Sequence, residues 1–247
     1  MSFMRASTST FARELRTYPI APFHRQFGQR FFSSTIIMAA PPPPQKRFLN
    51  PAILICDMQE KFRPAIWHFD KIILSAQKIL RAAQILKIPT YVTTQNGAKL
   101  GSTVSELTDL IAGAEVNADK TAFSMLRVPA LETHFPAVLP PENKEQRQVA
   151  IVGIESHICV TQTSLDLLAR GHKVYVLADG VSSCNPEEIP IALDRLRAEG
   201  VTVTTTESWL YECMGDAAIP EFRDIAKLVK ETSDGSKTVM RSLLSRI

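Results

Sequence analysis

The sequence is poor in cysteine and lacks the patterns that usually accompany it. Its 247 residues include four cysteines, Cys56, Cys159, Cys184 and Cys213, with no C-x-x-C pair and no zinc-type spacing to histidine. Small disulfide-held domains and zinc-stabilised domains both depend on such patterns. The cysteine usage therefore argues against both classes and is typical of a reducing compartment.

Long apolar runs and an excess of basic residues in the body are also missing. No run of about eighteen or more apolar residues occurs, so the sequence predicts no membrane-spanning segment. Residues 1–47 contain seven Lys/Arg and one acid, a charge of +6; the whole chain carries +3, so residues 48–247 carry −3. A mildly acidic body gives no support to nucleic-acid binding.

The basic N-terminal segment is typical of a targeting signal. Residues 1–34 are rich in Arg, Ser, Thr and Phe, and a proline run at 41–44 forms a stiff spacer. We interpret residues 1–47 as a mitochondrial transit-like leader with its spacer, which predicts a location in the matrix. A start at Met38 would give a shorter, cytosolic form. The alternative is an ordinary disordered basic tail.

Beyond the leader, short apolar segments alternate with segments of helical period. This alternation predicts one α/β domain over residues 48–231, with a parallel sheet covered on both faces. Residues 232–247 are predicted to form a polar C-terminal tail, with a short terminal helix as the alternative. The expected strands lie at residues 52–56, 90–94, 115–117, 150–152, 173–178 and 201–204.

The stretch around Cys159 is the most informative part of the chain. Residues 150–152 are apolar and suit a buried strand, Gly153 is expected to end that strand, and Ser156 can cap a following helix. Cys159 would then lie in the first turn of that helix, where free N–H groups and the helix dipole favour a thiolate. The alternative is a buried cysteine that only fills space.

Two other polar residues follow predicted strands. Asp57 comes directly after the first strand and Lys120 after the third. If the strand order is 3-2-1-4-5-6, the order reverses between strands one and four, so Asp57 and Cys159 would face each other across the crevice. A thiol nucleophile needs a base and a stabilising positive charge, which Asp57 and Lys120 supply. Asp57 could instead cap a turn, and Lys120 could be a surface lysine.

These residues resemble a known family. The segments DMQEKFR from Asp57, DKTAFSM around Lys120 and VGIESHICV around Cys159 are similar to those of the isochorismatase-like cysteine hydrolases, including the isochorismatase domain-containing proteins of mitochondria and cytosol. The likeness extends over residues 54–225. It implies a three-layer α/β/α, Rossmann-like domain with a six-stranded parallel sheet, usually assembled as a homo-oligomer.

The resemblance also implies roles for particular residues. Asp57, Lys120 and Cys159 would form the catalytic triad. A cis peptide bond would join Ile154 and Glu155 and aim the Glu155 N–H, with that of Cys159, into an oxyanion hole. The cysteine favours amide-type C–N hydrolysis of a small molecule through a thioester, because enzymes that hydrolyse isochorismate itself often lack it.

The chain departs from one branch of this family. Nicotinamidases carry a metal site with an Asp-x-His pair, whereas residues 93–97 here read TTQNG, so no metal or cofactor is expected. His157 is interpreted as a variable position of the motif, the alternative being that it is the base. Phe62 and Phe123 are candidate walls of the substrate pocket, or ordinary core residues.

Two other functions stay open at this stage. The chain could be a catalytically silent binding or scaffold member of the same fold. Cys159 could also be a redox-sensing thiol, which would require a resolving cysteine nearby. Sequence spacing alone does not show whether one exists.

Overall fold

The computed structural model describes residues 46–138 and 144–244. Its centre is a six-stranded, wholly parallel sheet with the strand order β3-β2-β1-β4-β5-β6, which is the order under which Asp57 and Cys159 were expected to face each other. The strands are β1 (Pro51–Cys56), β2 (Thr90–Gln95), β3 (Val116–Lys120), β4 (Gln148–Ile154), β5 (Lys173–Ser182) and β6 (Thr202–Thr204).

Helices cover both faces of the sheet. The alternation of side chains along β1 shows the division, because Ile53 and Ile55 join one apolar cluster while Leu54 and Cys56 join the other. Helices α1, α6, α7 and α8 contribute to the first cluster, and α3, α4 and α5 to the second. The helices are α1 (Phe69–Leu86), α2 (Gly97–Leu100), α3 (Pro129–Glu132), α4 (Thr161–Ala169), α5 (Glu188–Ala198), α6 (Thr206–Met214), α7 (Phe222–Glu231) and α8 (Ser233–Leu243).

The central strands are buried on both faces, as their uninterrupted apolar sequences predict. Every residue of β4 is buried, and so is every residue of β1 after Pro51. Strands enclosed in this way lose the alternating polar residues of a half-exposed sheet. The three-layer α/β/α architecture expected from the family resemblance is therefore present.

Several strand ends differ from the prediction, and two of them bear on the site. Strand β3 continues to Lys120, because its pairing with β2 extends to that residue. Gly153 does not end β4 but lies within it at φ +122, paired with Cys56 of β1. Strand β5 was expected to end before Asp179 but continues to Ser182. Its pairing with β4 is interrupted after Val176 and resumes at Val181.

The C-terminal segment, predicted as a polar tail with a short helix as the alternative, is helical. Residues Ser233–Leu243 form helix α8, which packs against α1. Its two apolar residues on the inner face, Val239 and Leu243, are buried in the first core cluster. The segment is polar in composition, but its few apolar residues fall at helical spacing and so reach the core together.

Helix α8 should therefore contribute to stability. Replacing Val239 with aspartate places a carboxylate in an apolar environment, and we expect the free energy of unfolding to fall by about 3 kcal/mol or more. Chemical denaturation measures the change. Arg241→Ala, on the exposed side of the same helix, is the matched control and should shift the midpoint little. Equal midpoints for the Val239 variant and the wild type would show that α8 is not part of the folded unit.

The described residues contain no helix that combines the length and apolar character required to cross a bilayer. The predicted leader, including Met38, lies outside the described residues except for Lys46 and Arg47. The mitochondrial location and the shorter cytosolic form therefore stay predictions.

Candidate active site

Three side chains meet at the carboxyl edge of the sheet. Asp57 directly follows β1, Lys120 is the last residue of β3, and Cys159 lies in the turn after β4. The Lys120 Nζ is 2.7 Å from Asp57 Oδ2 and 3.8 Å from Cys159 Sγ. All three residues are buried. The structure thus brings together the three residues that the sequence singled out.

Asp57 is held firmly in this position. Its backbone adopts φ +53, a left-handed conformation that aspartate tolerates better than most residues. Its Oδ1 accepts a hydrogen bond of 2.8 Å from the Thr93 hydroxyl, and its N–H donates to the Thr93 carbonyl. The alternative, that Asp57 only caps a turn, does not account for the contacts of its carboxylate with Thr93 and Lys120.

The Lys120 ammonium contacts four groups of the site. Besides Asp57 and Cys159, its ammonium donates to Gln95 Oε1 at 2.7 Å and to the Ala122 carbonyl at 3.1 Å. Burial alone would lower the pKa of Lys120, but the neighbouring Cys56, Asp57 and Cys159 side chains outweigh burial and raise the pKa above its usual value. The amine therefore stays charged, which is the opposite of a lysine prepared to act as a base.

The turn that carries Cys159 differs from the predicted helix start. Residues Ser156–Val160 form a single π-helical turn that leads into α4, and the Val160 N–H donates to the Glu155 carbonyl. Ser156 does not cap the helix: its hydroxyl is buried and has no hydrogen-bond partner within the described residues. The widened turn places Cys159 with only 6% of its surface exposed.

The peptide bond between Ile154 and Glu155 is cis, at the position that the resemblance implies. The segment is anchored from the end of β5. The Glu155 carboxylate accepts a hydrogen bond of 2.8 Å from the Cys184 N–H, and the His157 ring lies 3.0 Å from the Ser183 hydroxyl. The His157 ring is thus engaged with Ser183, which fits an anchoring role for the histidine.

One group of residues in the described part of the chain has the composition of a metal site. The ligand-type atoms of Cys56, Asp57 and Cys159 all lie within 4.8 Å of one another. The ammonium of Lys120 lies in hydrogen-bond contact with two of them. A fixed positive charge at this place opposes the binding of a cation, so the arrangement suits a thiol–carboxylate–ammonium site better than a metal site.

The two candidate pocket residues, Phe62 and Phe123, follow Asp57 and Lys120 within a few residues along the chain. Phe123 follows Ala122, whose carbonyl contacts Lys120, and half of its surface is exposed. Phe62 belongs to a short 3₁₀ helix at Glu60–Phe62 and packs partly buried against the first core cluster. Their assignment as pocket walls stays a prediction.

Several residues of the site were not among those that the sequence singled out. Thr93 and Gln95 lie at the end of β2 and contact Asp57 and Lys120 directly. Gln59, which is fully buried, fixes the same strand end by exchanging hydrogen bonds with the Gln95 backbone. The strand order assumed from the sequence places the end of β2 beside that of β1, and this signal could have identified Thr93 and Gln95.

The parallel sheet and the buried group of carboxylate, ammonium and thiol at its carboxyl edge define an α/β protein of the hydrolase class. The family model for the isochorismatase domain matches residues 51–208. The chain belongs to the isochorismatase family.

Individual relatives agree with this assignment. The secreted isochorismatase effector Isc1 of Phytophthora sojae is 41% identical, over 72% of this chain and 84% of its own. Isochorismatase domain-containing protein 2 of Macaca fascicularis is 40% identical, over 74% of this chain and 85% of its own. A solved structure described as the MAR1 ribonuclease of Caenorhabditis elegans is 37% identical, with a TM-score of 0.66, and the likeness covers 73% of this chain and 90% of that one.

Proposed function

We propose that the protein hydrolyses a small-molecule amide with Cys159 as the nucleophile. The observation that carries this proposal is the Lys120 ammonium, which contacts both the Asp57 carboxylate and the Cys159 sulfur in a buried site. A buried carboxylate needs a positive partner, and the same ammonium lies close enough to the Cys159 sulfur to stabilise the negative charge that develops there during the reaction.

The first half of the reaction forms a thioester. Asp57 takes the proton from the Cys159 thiol, and the thiolate attacks the carbonyl carbon of the substrate. The N–H groups of Glu155 and Cys159 hold the negative charge that develops on the carbonyl oxygen. Asp57 then gives its proton to the leaving amine as the C–N bond breaks, which leaves the acyl group on the Cys159 sulfur.

The second half regenerates the enzyme. A water molecule gives a proton to Asp57 and attacks the thioester carbonyl, with the same N–H groups stabilising the oxyanion. The C–S bond breaks, the sulfur recovers its proton from Asp57, and the acid product leaves. Lys120 stays charged throughout and keeps the Asp57 carboxylate oriented.

The main alternative is a silent binding protein with the same fold. Alkylation with iodoacetamide separates the two, since the reaction requires a thiolate. In the wild type we expect fast labelling of Cys159 alone. In Asp57→Asn the base is lost while its size is kept, and labelling of Cys159 should slow by about tenfold or more. Intact mass and peptide mapping over time give the rates.

Two controls belong to this experiment. Asp70→Asn removes a mostly exposed carboxylate at the start of α1 and should label like the wild type. Cys184 is an internal control, because its hydrogen bond to Glu155, with some burial, raises the pKa of its thiol and should make it slow. Equal and slow labelling of Cys159 and Cys184 in the wild type would contradict the proposed nucleophile.

The substrate class is tested with a panel of candidate compounds. A panel of small amides and esters tests the reaction class, and a short RNA belongs in the panel because one structural relative carries the name ribonuclease. We expect no cleavage of RNA, given the net charge of −3 on residues 48–247. The homo-oligomer implied by the family resemblance stays a prediction.

A further inference from the structure

The site contains a second thiol that the proposed hydrolysis does not use. Cys56 is the last residue of β1, directly before Asp57, and it is fully buried. Its S–H donates to Asp57 Oδ2 over 3.6 Å, and its sulfur lies within 4.8 Å of the Cys159 sulfur. Of the other two cysteines, Cys184 is exposed and Cys213 belongs to the opposite core cluster.

We propose that Cys56 and Cys159 form a two-thiol oxidation site, in which a hydroperoxide oxidises Cys159 and Cys56 converts the product into a reversible disulfide. The proposal rests on the proposed function in one respect, because it requires Cys159 to react as a thiolate. It adds a modification that the hydrolytic reaction does not need.

The two chemical steps balance with the hydroperoxide as the only oxidant. The Cys159 thiolate attacks the terminal oxygen of the hydroperoxide, the O–O bond breaks, and the departing oxygen takes up a proton; Cys159 becomes a sulfenic acid. The Cys56 sulfur then attacks the Cys159 sulfur. The S–O bond breaks, the hydroxide leaves with a proton as water, and the S–S bond forms.

A neighbour of Cys56 can accept the proton that its thiol loses when the disulfide forms. Burial, a hydrogen bond with Cys159 and the charge of Asp57 all raise the pKa of Cys56, so this thiol holds its proton in the resting site. Asp57 Oδ2 already accepts the hydrogen bond from that S–H and can take its proton. The Lys120 ammonium lies 3.8 Å from the Cys159 sulfur and stabilises the departing hydroxide.

Formation of the bond requires a local movement, because the two sulfurs lie within 4.8 Å but not at bonding distance. A disulfide requires a sulfur–sulfur distance of about 2 Å, and a change of one χ1 rotamer moves a cysteine sulfur by about 3 Å. Cys56 pairs across the sheet with Gly153, which has no side chain to stand between β1 and the turn that carries Cys159. We therefore expect the sulfurs to approach by side-chain rotation, without separation of the two strands.

The disulfide would have two consequences for the protein. It removes the nucleophile, so hydrolysis stops until a thiol reductant restores both cysteines. It also removes the sulfenic acid before further oxidation to the sulfinic acid, which ordinary thiol reductants do not reverse. Cys56 would thus protect the reactive cysteine from permanent loss.

Peptide mapping of the full chain after treatment with hydrogen peroxide tests this proposal. After a short exposure to a slight molar excess, the protein is unfolded in denaturant, and the remaining thiols are then blocked with iodoacetamide without reduction, so that the buried cysteines are labelled too. We expect the loss of two labels, those on Cys56 and Cys159, a cross-linked peptide pair containing them, and full recovery of both labels after dithiothreitol.

Two variants make the test specific. Cys56→Ser keeps a hydrogen-bond donor beside Asp57 but cannot form the disulfide; its Cys159 should react with dimedone as a sulfenic acid and then pass to a sulfinic acid that dithiothreitol does not reverse. Cys213→Ala removes a thiol of the opposite cluster and should form the disulfide as the wild type does.

The results that would overturn the proposal are distinct from a failure of the proposed function. If Cys159 of the wild type alkylates fast but peroxide converts it to the sulfinic acid with Cys56 still free, the oxidation site is refuted and the hydrolase stands. A disulfide between Cys159 and Cys184 would refute it equally. If Cys159 is inert to both iodoacetamide and peroxide, the oxidation site and the proposed function fail together.

Discussion

Cys159→Ala is expected to abolish turnover and leave the fold intact. The thiol forms the covalent bond in the proposed reaction, and loss of a nucleophile lowers kcat by about a thousandfold or more in comparable enzymes. The stability cost should be about 1 kcal/mol, because only one buried sulfur atom is removed. Hydrolysis of an amide that the wild-type protein turns over measures the first effect, and chemical denaturation measures the second.

The matched control for this variant is Cys213→Ala. Cys213 is also buried, but it lies in helix α6 and packs in the other core cluster. It should lose a similar amount of stability and keep full turnover. Undiminished hydrolysis by the Cys159 variant would exclude the thioester mechanism and would direct attention to water activated by Asp57.

The second large effect is expected from Gly153→Ala. A Cβ at this position would lie 2.1 Å from the Cys56 carbonyl oxygen, and the backbone there has φ +122. The obstructing atoms are backbone, so no side chain can move aside. We expect a loss of about 4 kcal/mol or more in the free energy of unfolding, or failure to fold, since β1 and β4 must separate.

Alanine substitutions at two other glycines separate the cost of the steric clash from the cost of backbone strain. Gly113 has open space around it, so Gly113→Ala should change stability little. Gly200 has open space but φ +99, so Gly200→Ala should cost only the backbone strain, about 1 kcal/mol. If Gly153→Ala is no worse than Gly200→Ala, β1 and β4 are less closely packed than the structure indicates.

Much of the site could be predicted because its residues stand at strand ends. Asp57 and Cys159 follow the two central strands, and strand order alone brings such residues to one edge of the sheet. Lys120 was harder to place. Its strand is weakly apolar, with only Val116 and Lys120 buried, so the sequence indicated neither its length nor its end.

The remaining features depend on contacts between distant parts of the chain. The π-helical turn at Ser156–Val160 was predicted as an ordinary capped helix start, because local propensity does not encode a widened turn. The burial of α8 was missed because two apolar residues in a polar segment do not indicate a buried helix unless the position of α1 beside them is known. Local propensity depends on the residues of one segment, whereas burial depends on which other segments pack against it.

The sequence by itself determined the alternation of strands and helices, and it singled out Asp57, Lys120 and Cys159 as polar residues after predicted strands. The strand order was an assumption at that stage, and the tertiary structure decided it. Only the tertiary structure decided that the Lys120 ammonium contacts both Asp57 and Cys159, and that Cys56 lies beside the same thiol. The physical reason is that apolar periodicity is local and can be read along the chain. Distances between side chains depend on strand register and turn geometry, which arise only when the whole sheet is assembled.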